Sequence, residues 1–140
     1  MVAPEGYIDV NVFVYWLGGH PVYGKRSYEW IKRFETSSIG RYVTSTLTLY
    51  QTIIIVAGLA GKGLNDISLA ESVVSAIGNI PGLEIIPLNF NDIKKALTLM
   101  KDYNLDYEDA LHLAVAIKCE VKEIISNDKD FDRTPLKRKF

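Results

Sequence analysis

The chain has 140 residues, 48% of them hydrophobic and 24% charged, with Lys+Arg 16 set against Asp+Glu 17 for a formal net charge of -1. This length suits one domain, 1-140, with a self-sufficient core. The balanced charge provides no global basic field for nucleic acid and leaves only local patches to serve. A lone Cys119 excludes an internal disulfide and a Cys-based metal cluster, and points to a reducing compartment.

The N-terminus lacks the basic start and apolar core of a signal peptide. The most apolar stretch, Tyr42 to Leu64, is broken by Gly58 and Gly61 and carries many Ser and Thr residues, which argues against a membrane span. The expected location is the cytoplasm. Tyr7 to Leu17 is apolar and β-rich except for Asp9 and Asn11, and reads as a buried strand ending near Asp9 followed by a helical turn. Two polar residues in such a run have two explanations: an Asx turn, or a site at the strand's carboxyl end. Gly18 to Pro21 is a turn, with His20 exposed in it. Val22 to Glu35 is an amphipathic helix with Tyr28, Ile31 and Phe34 inward and Lys25, Arg26, Lys32 and Arg33 outward.

Tyr42 to Ser45 is a short strand, and Thr46 to Leu59 a helix on the spacing of Leu47, Tyr50, Ile54 and Ala57. After a loop at Gly61, Asp66 to Ile77 forms a helix closed by Gly78-Asn79. Leu83 to Leu88 is a strand whose Pro87 marks its end or a sheet edge. Asn91 to Tyr103 is a helix with Ile93, Leu97 and Met100 inward. Asp106 to Ile117 is a helix buried along its body, with Asp106 suited to the N-cap and Asp109 to N3. Val121 to Ser126 is a strand, Asn127 to Asp132 a loop, and Arg133 to Phe140 a short basic tail. Strands alternating with helices predict an α/β fold with a mainly parallel sheet, whose ligands bind at the carboxyl ends of strands. Asp9 ends the first strand, Asp128 follows the last, and Asp109 heads the helix between; the order of elements permits the three to converge.

Carboxylates gathered in a partly dry pocket either rise in pKa or bind a cation. A set without His or Cys clusters favours Mg²⁺ or Mn²⁺, and such an ion supports hydrolysis of a phosphodiester. Four pieces, in order and separation, resemble the PIN-domain family: Ile8 to Tyr15, Val43 to Leu49, Tyr107 to Ala114, and Ile125 to Phe131. The resemblance covers nearly the whole chain and is nearest to the small single-domain prokaryotic VapC-type toxins. It implies a three-layer α/β/α sandwich, a Mg²⁺- or Mn²⁺-dependent endoribonuclease acting on RNA, a homodimer, and a cognate antitoxin. By position it implies Asp9, Asp109 and Asp128 as metal ligands and catalytic acids. Asn11 and Ser126 become the polar neighbours that hold the site's hydrogen bonds. Asp132 becomes an outer acid, and Asp130 a weaker candidate for that role.

One position departs from the family pattern: Gln51 stands where a Glu is usual. The amide is nearly the same size but neutral, so it binds a metal weakly and cannot act as a base. A natural variant with weakened metal binding, an inactivating change, and an active enzyme relying on the three Asp residues all fit. A single-metal site fits best with the missing charge. The alternative to an enzyme is a catalytically impaired PIN-fold module that binds RNA or protein. A phosphate-receiver domain ranks lower, because Ser126-Asn-Asp lacks the late-strand Lys that such a domain needs. His112, one turn past Asp109, is read first as an interior polar group and second as a site residue. Tyr15, Trp16, Tyr28 and Trp30 are read first as core or dimer surface and second as RNA-stacking rings. Lys25, Arg26 and Arg41 are candidates to hold phosphates.

Overall fold

Short, largely apolar segments become four of the five strands, a Lys-Arg-Lys segment becomes the fifth, and the longer segments between them become six helices. The computed structural model describes residues 3–140. In chain order the elements are β1 (Gly6–Ile8), α1 (Val10–Leu17), α2 (Gly24–Thr36), β2 (Tyr42–Ser45), α3 (Thr46–Leu59), α4 (Ile67–Gly78), β3 (Leu83–Ile86), α5 (Phe90–Tyr103), α6 (Tyr107–Lys118), β4 (Glu123–Ile125) and β5 (Lys137–Lys139). A 3₁₀ turn at Lys129–Arg133 sits between the last two strands.

The strands form one parallel sheet in the order β3-β2-β1-β4-β5. Gly6 lies opposite both Tyr42 and Glu123, which fixes the register of the central three strands. Side chains alternate across the sheet, as the pleat requires. Tyr7, Val43 and Ile124 face a core shared with α5 and α6, and Ile8, Tyr42 and Ile125 face one shared with α1, α2 and α4. Burial on both faces is what a parallel sheet needs. The architecture is therefore a three-layer α/β/α sandwich, as expected. Among the described residues, no helix is long and apolar enough to cross a membrane.

The body of α6 is buried without interruption from Ala110 to Ala116, since it lies between the sheet and α5. Asp106 caps it, its Oδ1 accepting from the Asp109 backbone N–H at 2.8 Å. On α5 the inward positions are Ala96 and Leu99, while Leu97, expected inward, is 55% exposed. Tyr28 on α2 and Tyr50 and Ile54 on α3 also face outward, against the expected register. α3 is apolar on more than one side, so spacing alone does not select its buried stripe. On the amphipathic α2 the buried stripe runs through Ser27, Ile31 and Phe34 and leaves Tyr28 at its margin. The expected basic tail contains β5, a strand of Lys-Arg-Lys paired beside β4 and tied to it by an ion pair from Lys139 to Glu123 at 2.8 Å. An edge strand is hydrogen-bonded on one side only and tolerates this composition.

Gly82 shows how closely the layers meet. Its backbone N–H donates to the Phe34 carbonyl at the end of α2 at 3.0 Å, and a Cβ there would lie 2.2 Å from that same oxygen. Backbone cannot swing aside as a side chain can. Gly82→Ala is expected to cost about 2–3 kcal/mol through overpacking, read as a fall in Tm of roughly 5–10 °C by calorimetry.

Candidate active site

The chain runs from β1 outward to β2 and β3, then returns to place β4 on the other side of β1, so the topological switch lies between β1 and β4. The carboxyl ends of those two strands are where ligands bind in such sheets. Asp9 leaves β1 at this point, its backbone N–H still bonded to the Ile125 carbonyl at 3.0 Å. Its carboxylate is buried at 3% exposure and accepts from the Ser126 hydroxyl at 2.6 Å, the Val10 backbone N–H at 2.8 Å and the Asn11 amide at 3.3 Å. Ser126, directly after β4, also receives the Asp128 backbone N–H at 3.0 Å and the Asn11 amide at 3.2 Å. The Asn11 carbonyl oxygen accepts from the Asn127 backbone at 3.3 Å. Asn11 and Ser126 thus clamp the two strand ends together.

Asp128 caps the 3₁₀ turn, its Oδ1 accepting from the Asp130 N–H at 2.9 Å. This brings its carboxylate to Asp109 on the first turn of α6. Oxygens of Asp109, Asp128 and Asp130 all lie within 4.8 Å of one another, the first two half-buried and the third exposed. The consequence falls on Asp109, whose carboxyl is pushed up to about 8. Burial contributes most, followed by the charges of Asp128, Asp106 and Asp9. Arg133 reaches Asp130 at 3.4 Å across an exposed pair, where a counter-charge has little force.

Of the residues expected in the site, Asp109 and Asp128 meet, while Asp9 stands outside the 4.8 Å group but close enough to act on Asp109. Asp130, the weaker candidate in the sequence, is the third member. Asp132 is held elsewhere, with Arg138 Nε 2.9 Å from its Oδ1 and the guanidinium keeping its carboxyl below the ordinary range. Arg41 precedes β2 and pairs at 2.7 Å with Glu5, which precedes β1; both belong to the opposite, amino-terminal edge of the sheet.

Gln51 is 8% exposed and fully engaged. Its Nε2 donates to Glu108 at 2.6 Å, and its Oε1 lies 2.7 Å from His112 Nε2. His112 Nδ1 lies 2.7 Å from the Tyr7 hydroxyl, which in turn is 2.8 Å from Ser45 Oγ. Burial lowers the imidazole pKa, so the ring is neutral; with Tyr7 donating to Nδ1, its proton sits on Nε2 and points at Gln51. Asp9 Oδ1 lies 3.8 Å from the same Nε2. Tyr7, Ser45 and Glu108 were not legible as site neighbours. Glu108 sits in the Tyr107-Glu-Asp109 run as one more first-turn acid, and nothing local marks it as the partner of Gln51.

No curated protein matches the chain. Among solved structures it is similar to VapC20 of Mycobacterium tuberculosis, a sarcin-ricin loop cleaving toxin, at 14% identity with a TM-score of 0.71, covering 95% of this chain and 99% of that one. A toxin-antitoxin complex from Klebsiella pneumoniae is similar at 16% identity and TM-score 0.68, over 95% of this chain and 99% of that one. VapBC2 from Rickettsia felis, bound to a DNA fragment from its promoter, is similar at 18% identity and TM-score 0.67, over 96% and 97%. At these identities the likeness is one of fold. The sequence itself matches the PIN domain model over residues 6–137. That match spans every element from β1 into β5 and all the residues of the acidic group: the chain belongs to the PIN domain family.

Proposed function

We propose that the whole chain works as one PIN-like domain, a Mg²⁺- or Mn²⁺-dependent endoribonuclease that hydrolyses RNA phosphodiester bonds. The observation that carries this reading is the group of carboxylates at the β1–β4 switch, where Asp109 is pushed up to about 8 by burial and its acidic neighbours. An all-oxygen donor set with this much unbalanced charge suits a hard divalent cation. Asp109 and Asp128, with Asp9 beside them, would hold it, and Asp130 adds an exposed oxygen. The bound ion would supply Lewis acidity at the phosphate and help activate water. Asn11 and Ser126 orient Asp9, and the Asp106 cap orients the first turn that carries Asp109. The toxin-antitoxin neighbours support a cognate antitoxin as partner. An apolar groove beside the site, where Tyr50, Ile54, Ile55 and Tyr107 are exposed, supports a homodimer. The proposed compartment is the cytoplasm.

A second reading has its own support. Gln51 brings no charge to the place where the family pattern has an acid, and both ends of its amide are already bonded, which favours a PIN fold with impaired turnover. RNA cleavage assays separate the two. Asp109→Asn and Asp128→Asn are each expected to lower cleavage in Mn²⁺ on the order of 100-fold or more, the scale for losing one preorganised charge. A parent chain inert in both Mg²⁺ and Mn²⁺, with Gln51→Glu equally inert, would overturn the nuclease reading. Cleavage by Gln51→Glu alone would establish the impaired one.

Gln51→Glu also has a readout on stability. It replaces a donor facing Glu108 with a second acid, so the metal-free variant is expected to melt several degrees lower. Added Mn²⁺ is expected to raise its Tm more than it raises that of the parent, because binding to the native state adds stability.

The raised Asp109 pKa gives a sign for pH. Between the ordinary aspartate value and about 8 the native state holds a proton that the unfolded chain has released, so the metal-free fold loses stability as pH rises through that window. Asp109→Asn removes the penalty. In EDTA at pH 8 the variant is expected to be more stable than the parent by about 1–2 kcal/mol, a figure discounted for solvent screening at a half-buried site. The gain should shrink toward pH 4 in urea titrations; a gain independent of pH would contradict this origin.

A further inference from the structure

The chain has five Arg residues, and their partners divide them sharply. Arg41, Arg133 and Arg138 each pair with a carboxylate. Among the described residues, Arg26 and Arg33 make no such pair. They lie seven positions apart on α2, two helical turns on one face, with Glu29 and Trp30 between them. Each guanidinium instead rests on an aromatic ring, Arg26 at 5.4 Å from the centre of Phe140 and Arg33 at 4.5 Å from that of Trp30. These four residues and Glu29 line an open pocket of about 360 Å³, large enough for a nucleotide.

The pocket's position matters as much as its lining. Phe140 directly follows β5, so with Arg26 it puts one end of the pocket at the same carboxyl edge of the parallel sheet as Asp9 after β1 and Asp128 after β4. Arg33, two turns along α2, carries the other end toward Tyr42 at the start of β2. Tyr15 of α1 joins the two places. Its ring meets Phe140 at 5.8 Å and Tyr23 at 5.1 Å, and its hydroxyl accepts from the Asn127 side chain at 3.2 Å, next to Asp128. Tyr23 closes the group, 5.8 Å from Phe140. Unpaired guanidinium groups interleaved with half-exposed rings are the chemistry that grips single-stranded nucleic acid, with cations on phosphates and rings under bases.

We propose that the Arg26–Trp30–Arg33–Phe140 pocket is a subsite for single-stranded RNA flanking the scissile bond. Phosphates lie on Arg26 and Arg33, and a base stacks on the exposed aromatic surface. The subsite rests on the nuclease reading and gives it a direction, since the strand leaves the acids past Tyr15 toward α2. Glu29 opposes the phosphates and moderates affinity.

The test is fluorescence anisotropy with a labelled single-stranded RNA of ~12 nucleotides, in EDTA so that nothing is cut, across a salt series. Arg26→Gln/Arg33→Gln is expected to weaken binding about tenfold or more, and to reduce the slope of log affinity against log salt by about 1.4, two contacts' worth on a single strand. Glu29→Gln is expected to tighten binding by roughly twofold, the modest effect of one exposed charge. All three side chains being on the surface, an unchanged Tm verifies that the variants fold. Parental affinity and slope in the double variant would overturn the subsite and leave the nuclease reading standing. A parent chain that neither binds RNA in EDTA nor cuts it in Mn²⁺ would overturn both.

Discussion

The side-by-side, parallel placement of β1 and β4 is the constraint on which the site depends. Their register brings Asp9 and Ser126 within 2.6 Å at the shared carboxyl edge, although 117 positions separate them in the chain. The other acids take their places from that pairing. Ser126 holds the Asp128 backbone, the 3₁₀ turn that Asp128 caps carries Asp130, and α6, buried against the same sheet, delivers Asp109. The result is an arrangement that costs stability in the absence of a cation. Folding energy from two well-packed faces offsets the repulsion among carboxylates, a usual relation between scaffold and functional strain.

What the sequence disclosed depended on how local each signal was. Asp109 was legible because a cap, an N3 acid and a buried helical body occur within one short run. The α/β class was legible because alternation of elements is written along the whole chain. β5 was hidden, since Lys-Arg-Lys carries no apolar alternation and becomes a strand only when β4 supplies the hydrogen bonds. Arg41 looked like a phosphate ligand until the strand directions put it, with Glu5, at the far edge of the sheet. The nearness of Asp130 to Asp109 and Asp128 is hidden for a related reason. In a loop, residues two apart point anywhere; in a 3₁₀ turn capped by the first, they converge.

The site and the pocket on α2 also differ in kind. The acids are packed and hydrogen-bonded, so their geometry is inherited from the core. The Arg–aromatic pocket is assembled at the surface from α2 and the end of β5, and its cations are held by rings rather than by carboxylates. Such contacts leave a guanidinium's N–H groups available to a ligand, which ion pairs do not. In the proposed nuclease, the acids would serve the chemistry at one bond and the accessible cations the grip on the strand around it.

The chain of groups from Ser45 through Tyr7, His112 and Gln51 to Glu108 has a polarity. Each hydroxyl, ring nitrogen or amide nitrogen directs its hydrogen to the next, and the run ends on a carboxylate that only accepts. An amide accepts from an imidazole N–H and donates to an acid at the same time, which an ionised carboxylate of the same size cannot do. An acid at position 51 could satisfy His112 but would turn a lone pair toward Glu108. Positions 51 and 108 are therefore coupled: an acid at 51 would set two carboxylates face to face unless a proton or a cation lies between them.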